Sequence, residues 1–452
     1  MLLLLSLLPA CGTDGVPADS ATTGNFTLND AGEVTAASLG LETALSDHMA
    51  TVIHVTWSQL EADVVYESLG IRRQTPGTAT ESGYEAWLIG TPEQTLTTVH
   101  LAAQVDGSEV VSEALEITTG DLGIEVPLDS VWANPTATLT PGLMLVSWLG
   151  GLPSGLALLD REGRPVWAIT PQSEESSVMS AAWSADGLWT LEEHRDSQTA
   201  GLVRYELDGS VAEEFRADNA HHDLTLGPDG AVAWIETDAR DTTTWGKVYG
   251  DRIVSRSADG AQTELVNTWD LLGDPTPSNT WDNNWYPDGL DWSHANGLSY
   301  SPSRDSYLLS LGGQALVMEL DAPDMAVAWQ IAGQELADTQ ARFELQHSPS
   351  WTPDDTVVFF VNFNGADRSS WAAEFDIVAD PPKEIWNSGH GGDLATQALG
   401  RVARLEDGHT LVNYGIAGVL QEVNTDGESL WELSLTVDAV LGQMQLITLY
   451  DD

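Results

Sequence analysis

Three histidines sit in similar surroundings along this chain, and they are the residues best suited to do chemistry. They occur in Asn219-Ala220-His221-His222-Asp223-Leu224, in Asp291-Trp292-Ser293-His294-Ala295-Asn296-Gly297-Leu298 and in Leu345-Gln346-His347-Ser348-Pro349-Ser350. Each segment runs into a turn: Gly227-Pro228-Asp229-Gly230, Ser301-Pro302-Ser303-Arg304-Asp305 and Thr352-Pro353-Asp354-Asp355. One such histidine alone is more often structural. Three in register, out of only 10 in the chain, point to function instead. Imidazoles suit two tasks: they ligate metals, or they act as a nucleophile and an acid–base set around an anion. Carboxylates are plentiful here but show no distinctive ligand spacing. The expectation is therefore a site with no metal and no other cofactor.

For residues so far apart to act together, the fold must bring the starts of three strands to one place. A loose internal repeat from about Trp132 onward supplies such a fold. Its turns are Glu162-Gly163, Asp186-Gly187, Asp208-Gly209, Asp229-Gly230, Asp259-Gly260, Asp407-Gly408 and Asp426-Gly427. Its units close on Trp167, Phe215, Trp269, Trp329, Trp386 and Trp431, at intervals of about 45 to 60 residues, a length that holds four short strands, or one propeller blade. Six closing aromatics predict a six-bladed β-propeller over 127–452. The aromatics themselves read as packing between blades. The first strand of each blade lines the central channel, so the three histidines would meet at one mouth of it.

Upstream, residues 25–125 are rich in short strands: Thr51–Trp57, Asp63–Glu67, Glu85–Ile89 and Thr97–Val105. With no helical period, these predict a small β-sandwich. Asp106-Gly107 and the later run Ala114–Thr119 suggest a fibronectin-like closing hairpin. No constellation of chemical residues occurs there, which makes it a spacer or docking domain. The fold class expected overall is all-β. Residues 1–11 are a Leu-rich run ending Leu8-Pro9-Ala10-Cys11, matching a lipoprotein signal peptide whose lipidated residue is Cys11, the only cysteine. Residues 12–24 read as a flexible tether. The protein is thus expected to be secreted across the inner membrane and lipid-anchored, periplasmic or at the cell surface. Among 452 residues, 69 acidic side chains oppose 17 Lys plus Arg, a formal charge of −52. Such a surface repels nucleic acid and anionic headgroups, so neither is a partner and the membrane is met only through the lipid.

His-His-Asp before a Pro-Asp-Gly turn, Asp-Trp-x-His-x-Asn before a Leu-Leu-Ser strand, and Gln-His before a third turn occur in this order. That order resembles the bacterial arylsulfate sulfotransferase family over about residues 130 to 440. The resemblance implies nucleotide-independent transfer of a sulfuryl group from a phenolic sulfate ester to a phenol, through a transiently sulfated histidine. By position the nucleophile is His347, with His294 and His222 in support and Asn296 binding substrate. Trp285, Trp292 and Trp351 lie near these histidines and are candidates either to stack on an aryl ring or to fill the core. One departure stands out. An arginine that grips the sulfate follows the Leu-Leu-Ser strand in the family, whereas Tyr307-Leu308-Leu309-Ser310-Leu311 is followed here by Gly312-Gly313. Arg342, five residues before His347, is the candidate replacement, with Arg304 and Arg368 as others. The missing guanidinium leaves a rival from another class: a non-catalytic, surface-exposed propeller acting as a binding or scaffold module. A homodimer is compatible with the sequence but not required by it.

Overall fold

A computed structural model describes residues 29, 33–105, 107–150, 153–184, 187–194, 199–275, 286, 288–339, 341–362, 370–388 and 394–449. The lipidation residue Cys11 and the tether 12–24 lie outside the described residues. Nearly all regular structure is antiparallel β. Among the described residues from Leu128 onward there are six sheets of four or five strands.

The strand at one edge of each sheet lies beside its counterparts in two other sheets. These edge strands are β1 (Ser176–Ser184), β2 (Ala220–Leu226), β3 (Ala295–Ser301), β4 (Gln346–Trp351), β5 (Arg401–Arg404) and β6 (Val440–Ile447). Each neighbours the next, and β6 neighbours β1, so the six form a closed ring. Side chains stitch the ring together. Ser299 Oγ donates to the Pro349 carbonyl at 2.8 Å, and Ser350 Oγ to the Val402 carbonyl at 3.1 Å. Ring closure joins the two ends of the chain twice. β6 pairs with Leu143–Leu149, completing a sheet otherwise built from early residues. Leu128–Ala133 adds an outer strand to the last sheet by pairing with Ser429–Leu435.

The repeat of aromatics marks the far sides of these sheets. Trp167, Phe215, Trp329, Trp386 and Trp431 each lie on a strand remote from the ring. Trp269 departs from the pattern: it falls on a short helix, Thr268–Leu272, that follows the outer strand and is capped by Asn267 Oδ1 accepting from Trp269 N. Arginines wedge over several of these rings, with Arg256 4.4 Å from the Phe215 centroid and Arg404 4.4 Å from that of Trp386. The same two cations pair with Glu213 and Glu374 on neighbouring sheets. Much of the scarce positive charge therefore sits in seams between sheets.

The N-terminal residues form two further sheets around a common core that includes Val55, Trp57, Val64, Tyr66, Leu88, Val99 and Leu101. The strand predicted from Thr97 runs Leu96–Val105 and pairs with two partners in succession. Ser108–Val111 takes its second half, and Leu115–Thr118 its first. This unit docks on the ring. Met49, Val52 and Ile89 join a core with Leu145, Leu158 and Trp167, and Thr51 Oγ1 donates to the Val166 carbonyl at 2.7 Å.

Candidate active site

Each histidine segment carries an irregularity just where its imidazole is needed. The strand registers shift between His221 and Leu224, between Ala295 and Gly297, and between His347 and Ser350. An extra residue in a strand re-aims the side chains beside it. The backbone is strained at the same places: φ is +61° at His222, +45° at His294, +50° at Leu345 and +47° at Ser348. Left-handed conformations cost non-glycine residues energy and gather where surrounding structure and function demand them.

The result is a cluster of rings at one mouth of the ring of strands. The His222 centroid lies 4.9 Å from that of His294 and 5.9 Å from that of His347. All three line a cavity of about 580 Å³. Asn219, His221, Glu193, Asn296, Asn362 and Tyr286 add polar groups to its wall. Leu149, Met179, Leu345, Leu399, Ile416 and Val440 supply an apolar one. Among the described residues lining it there is no lysine or arginine.

Hydrogen bonds fix each ring. His294 Nδ1 donates to the buried Asp291 at 2.6 Å, and His347 Nδ1 lies 2.7 Å from Ser348 Oγ. Nε2 of His347 is buried and makes no hydrogen bond among the described residues. His221 Nε2 is 3.0 Å from Asp251, and its Nδ1 is 2.7 Å from His222 Nδ1. Asp251 also accepts from Ser293 Oγ and from the Ala295 amide, at 2.6 and 2.7 Å, and so ties the His294 segment to the His221 segment.

The rings differ in charge preference. Burial, followed by His294, His221, His347 and Arg401, holds His222 well below the ordinary imidazole range. Burial, followed by Arg401 and His294, does the same to His347. His221 goes the other way. Burial alone would lower it, but the hydrogen bond to Asp251 and the charges of Asp251, Glu193 and Asp291 outweigh that and raise it. Near neutrality the site therefore holds two neutral imidazoles beside one that favours its proton.

Residues 130–446 match the arylsulfotransferase (ASST) family, well over half of the chain. The chain belongs to the arylsulfotransferase family. No curated protein matches it. Similar solved structures include a protein of unknown function from Bacteroides caccae, at 14% identity and a TM-score of 0.44, covering 67% of this chain and 98% of that one. They also include a streptogramin B lyase, at 11% and 0.41, covering 70% and 98%. A third is the periplasmic gluconolactonase PpgL of Pseudomonas aeruginosa, at 11% and 0.38, covering 68% and 99%.

Several expected roles in this member of the family fall elsewhere. Arg342 does not line the cavity, and its Nε donates to the Leu336 carbonyl at 3.0 Å. Arg304 is held by Glu319 and lies 3.9 Å over the Trp351 ring, so both are engaged in a seam between sheets. Arg368 and Trp285 lie outside the described residues. Trp292 is buried against Trp269. Tyr286, adjacent to Trp285, is the aromatic that reaches the cavity; it stacks on Tyr249 at 3.7 Å, and its hydroxyl is 3.0 Å from Thr237 Oγ1.

The space beside Gly312 is taken. A Cβ on Gly312 would come within 2.6 Å of Asn296 Nδ2 and 3.4 Å of the His294 ring. Asn296 is locked there by Ser310 Oγ, which donates to its Oδ1 at 2.8 Å, while Gln346 Nε2 donates to Ser310 at 2.9 Å. The guanidinium that does influence the histidines is Arg401, which acts on both His222 and His347. It stands behind them, donating to the buried Asp223 at 2.6 Å. Sequence reasoning missed Arg401, His221, Glu193 and Asp251. Arg401 had a legible signal, since it opens the inner strand of the last repeat unit as the histidines open theirs.

Proposed function

We propose that this chain is a working arylsulfate sulfotransferase, built as a six-bladed propeller with an N-terminal sandwich docked on it and anchored outside the cytoplasm by a lipid on Cys11. The observation that carries the catalytic reading is the packing of His222, His294 and His347 within one small, partly apolar cavity. His347 is the nucleophile. With its Nδ1 proton on Ser348, the lone pair of Nε2 attacks sulfur, and the bond from sulfur to the aryl oxygen breaks. Burial keeps this ring neutral, as a nucleophile requires. Asn296 Nδ2 and the field of Arg401 offset the charge that spreads over the sulfuryl oxygens. The departing phenolate takes a proton from a neighbouring histidine, and an incoming phenol returns one as it accepts the sulfuryl group from His347. The leucines, Met179 and Tyr286 give the aryl ring an apolar seat.

Purified protein should release phenolate from a chromogenic aryl sulfate when excess phenol is present. Quenched without acceptor, it should carry a sulfo group on the peptide containing His347. The lack of a lysine or arginine on the described cavity wall favours the rival, a binding module for a neutral aromatic. No phenolate release and no labelled peptide, with the fold intact, would establish that rival.

A further inference from the structure

We propose that Asp251, His221 and His222 form a proton relay that supplies the leaving oxygen, with His222 delivering the proton and His221 and Asp251 acting through it. This rests on the sulfotransferase reading above. The geometry is a continuous line: Asp251 Oδ1 to His221 Nε2 at 3.0 Å, His221 Nδ1 to His222 Nδ1 at 2.7 Å, and the His222 ring beside His294 and His347.

Two Nδ1 atoms at hydrogen-bond distance need one proton between them, so the tautomers are coupled. A carboxylate at Nε2 and the further acids Glu193 and Asp291 face His221. Burial and the Arg401 cation press His222 the other way. The proton therefore rests on His221, which donates it to His222 Nδ1 while its own Nε2–H stays on Asp251. The one proton of neutral His222 is then on Nε2. The chain is held rather than merely adjacent. Glu193 accepts the His222 amide at 2.6 Å, and the left-handed backbone at His222 keeps its ring turned to the cavity. Asp251 is itself fixed by Ser293 and Ala295.

This arrangement resolves a conflict in the site. A buried His222 held neutral makes a weak acid by itself, yet the leaving oxygen needs a proton. When sulfur passes to His347, His222 Nε2–H protonates the phenolate, and His221 Nδ1–H moves to His222 Nδ1. His222 stays neutral with its tautomer exchanged, and His221 becomes neutral while still donating to Asp251. Deprotonation of the phenol acceptor drives the same shifts in reverse, so no proton is gained or lost over a full transfer.

The test uses full-length protein and two donors, 4-nitrophenyl sulfate, whose phenolate leaves readily, and phenyl sulfate, whose phenolate needs protonation. His221→Gln and Asp251→Asn should each lower kcat with phenyl sulfate by about 10²–10⁴-fold, the range for a general acid. Each should lower kcat with 4-nitrophenyl sulfate by less than tenfold, with KM little changed. Equal losses on both donors would overturn the relay and leave these residues a structural role. A second arm needs no variant: ¹⁵N spectra of the wild type near neutral pH should show His221 protonated on both nitrogens and His222 protonated on Nε2 alone. His222 protonated on Nδ1 and donating to His221 would overturn the relay even in a protein that turns over. A wild type that transfers from neither donor, with the expected tautomers present, would instead count against the sulfotransferase reading.

Discussion

Replacing Arg401 with methionine keeps much of its bulk but removes the cation behind the histidines. In the wild type its guanidinium donates to Asp223 at 2.6 Å, and both partners are largely buried. Asp223 would keep Ser180 Oγ and the Leu298 amide, at 2.6 and 3.0 Å, but would become an uncompensated buried charge. Breaking such a pair from one side costs about 3–5 kcal/mol. At roughly 2–4 °C per kcal/mol for a large domain, Tm should fall by on the order of 10 °C. The histidines should respond too. Arg401 lowers both His222 and His347, so its loss, with Asp223 left bare, should raise both midpoints as read by NMR titration. If Arg401 stabilises the transferring sulfuryl group, kcat should drop by about 10²–10³-fold, the scale for one oxyanion partner. Adding Asp223→Asn separates the two effects. The double variant should regain most of the lost Tm yet stay slow. Turnover that returns together with stability would refute a catalytic role and leave Arg401 as the partner of Asp223 alone.

Gly312→Arg should not raise activity and should lower Tm, because its Cβ meets Asn296 Nδ2 at 2.6 Å; adding Asn296→Gly should recover Tm, as melting curves of both variants would show. His222 and His347 should each cost stability as pH drops below about 6.5, since the unfolded chain then takes up protons that these buried rings refuse. His221, Glu192 and Glu193 act the other way, their contributions being present at low pH and lost as pH rises through their raised midpoints. Relative to the wild type, the urea midpoint of His222→Asn should therefore stand higher at pH 5 than at pH 7, and an unchanged difference would remove His222 from this balance. Cys11→Ser should move the protein from the membrane to the soluble fraction and abolish labelling by fatty acid; identical fractionation of the two proteins would remove the anchor.

The fold was legible wherever residue chemistry repeats. Closing aromatics other than Trp269 mark outer strands because a large ring fills the gap between twisted sheets, and Asp-Gly turns separate strands because few other pairs make tight turns. The N-terminal strands Glu42–Leu45, Ile71–Pro76 and Thr78–Thr80 were not legible, being short or exposed edges without apolar alternation. The histidines announced themselves by position, but their charges did not. His221 and His222 are adjacent in sequence and opposite in preference, because Asp251, thirty residues on, touches only one of them. Arg342 was chosen for its nearness to His347 along the chain. The ring instead brings the next inner strand, with Arg401, to the histidines, and nearness in sequence says nothing of that.

Strand β6 completes a sheet begun by Leu143–Leu149 and contributes Val440 to the cavity wall. Until β6 pairs, Leu143–Leu149, every residue of which is buried in the finished ring and all but Ser147 apolar, stands as an open edge. Such an edge offers itself to other chains and to proteases. The pairing that finishes one wall of the pocket is therefore also the one that removes this hazard.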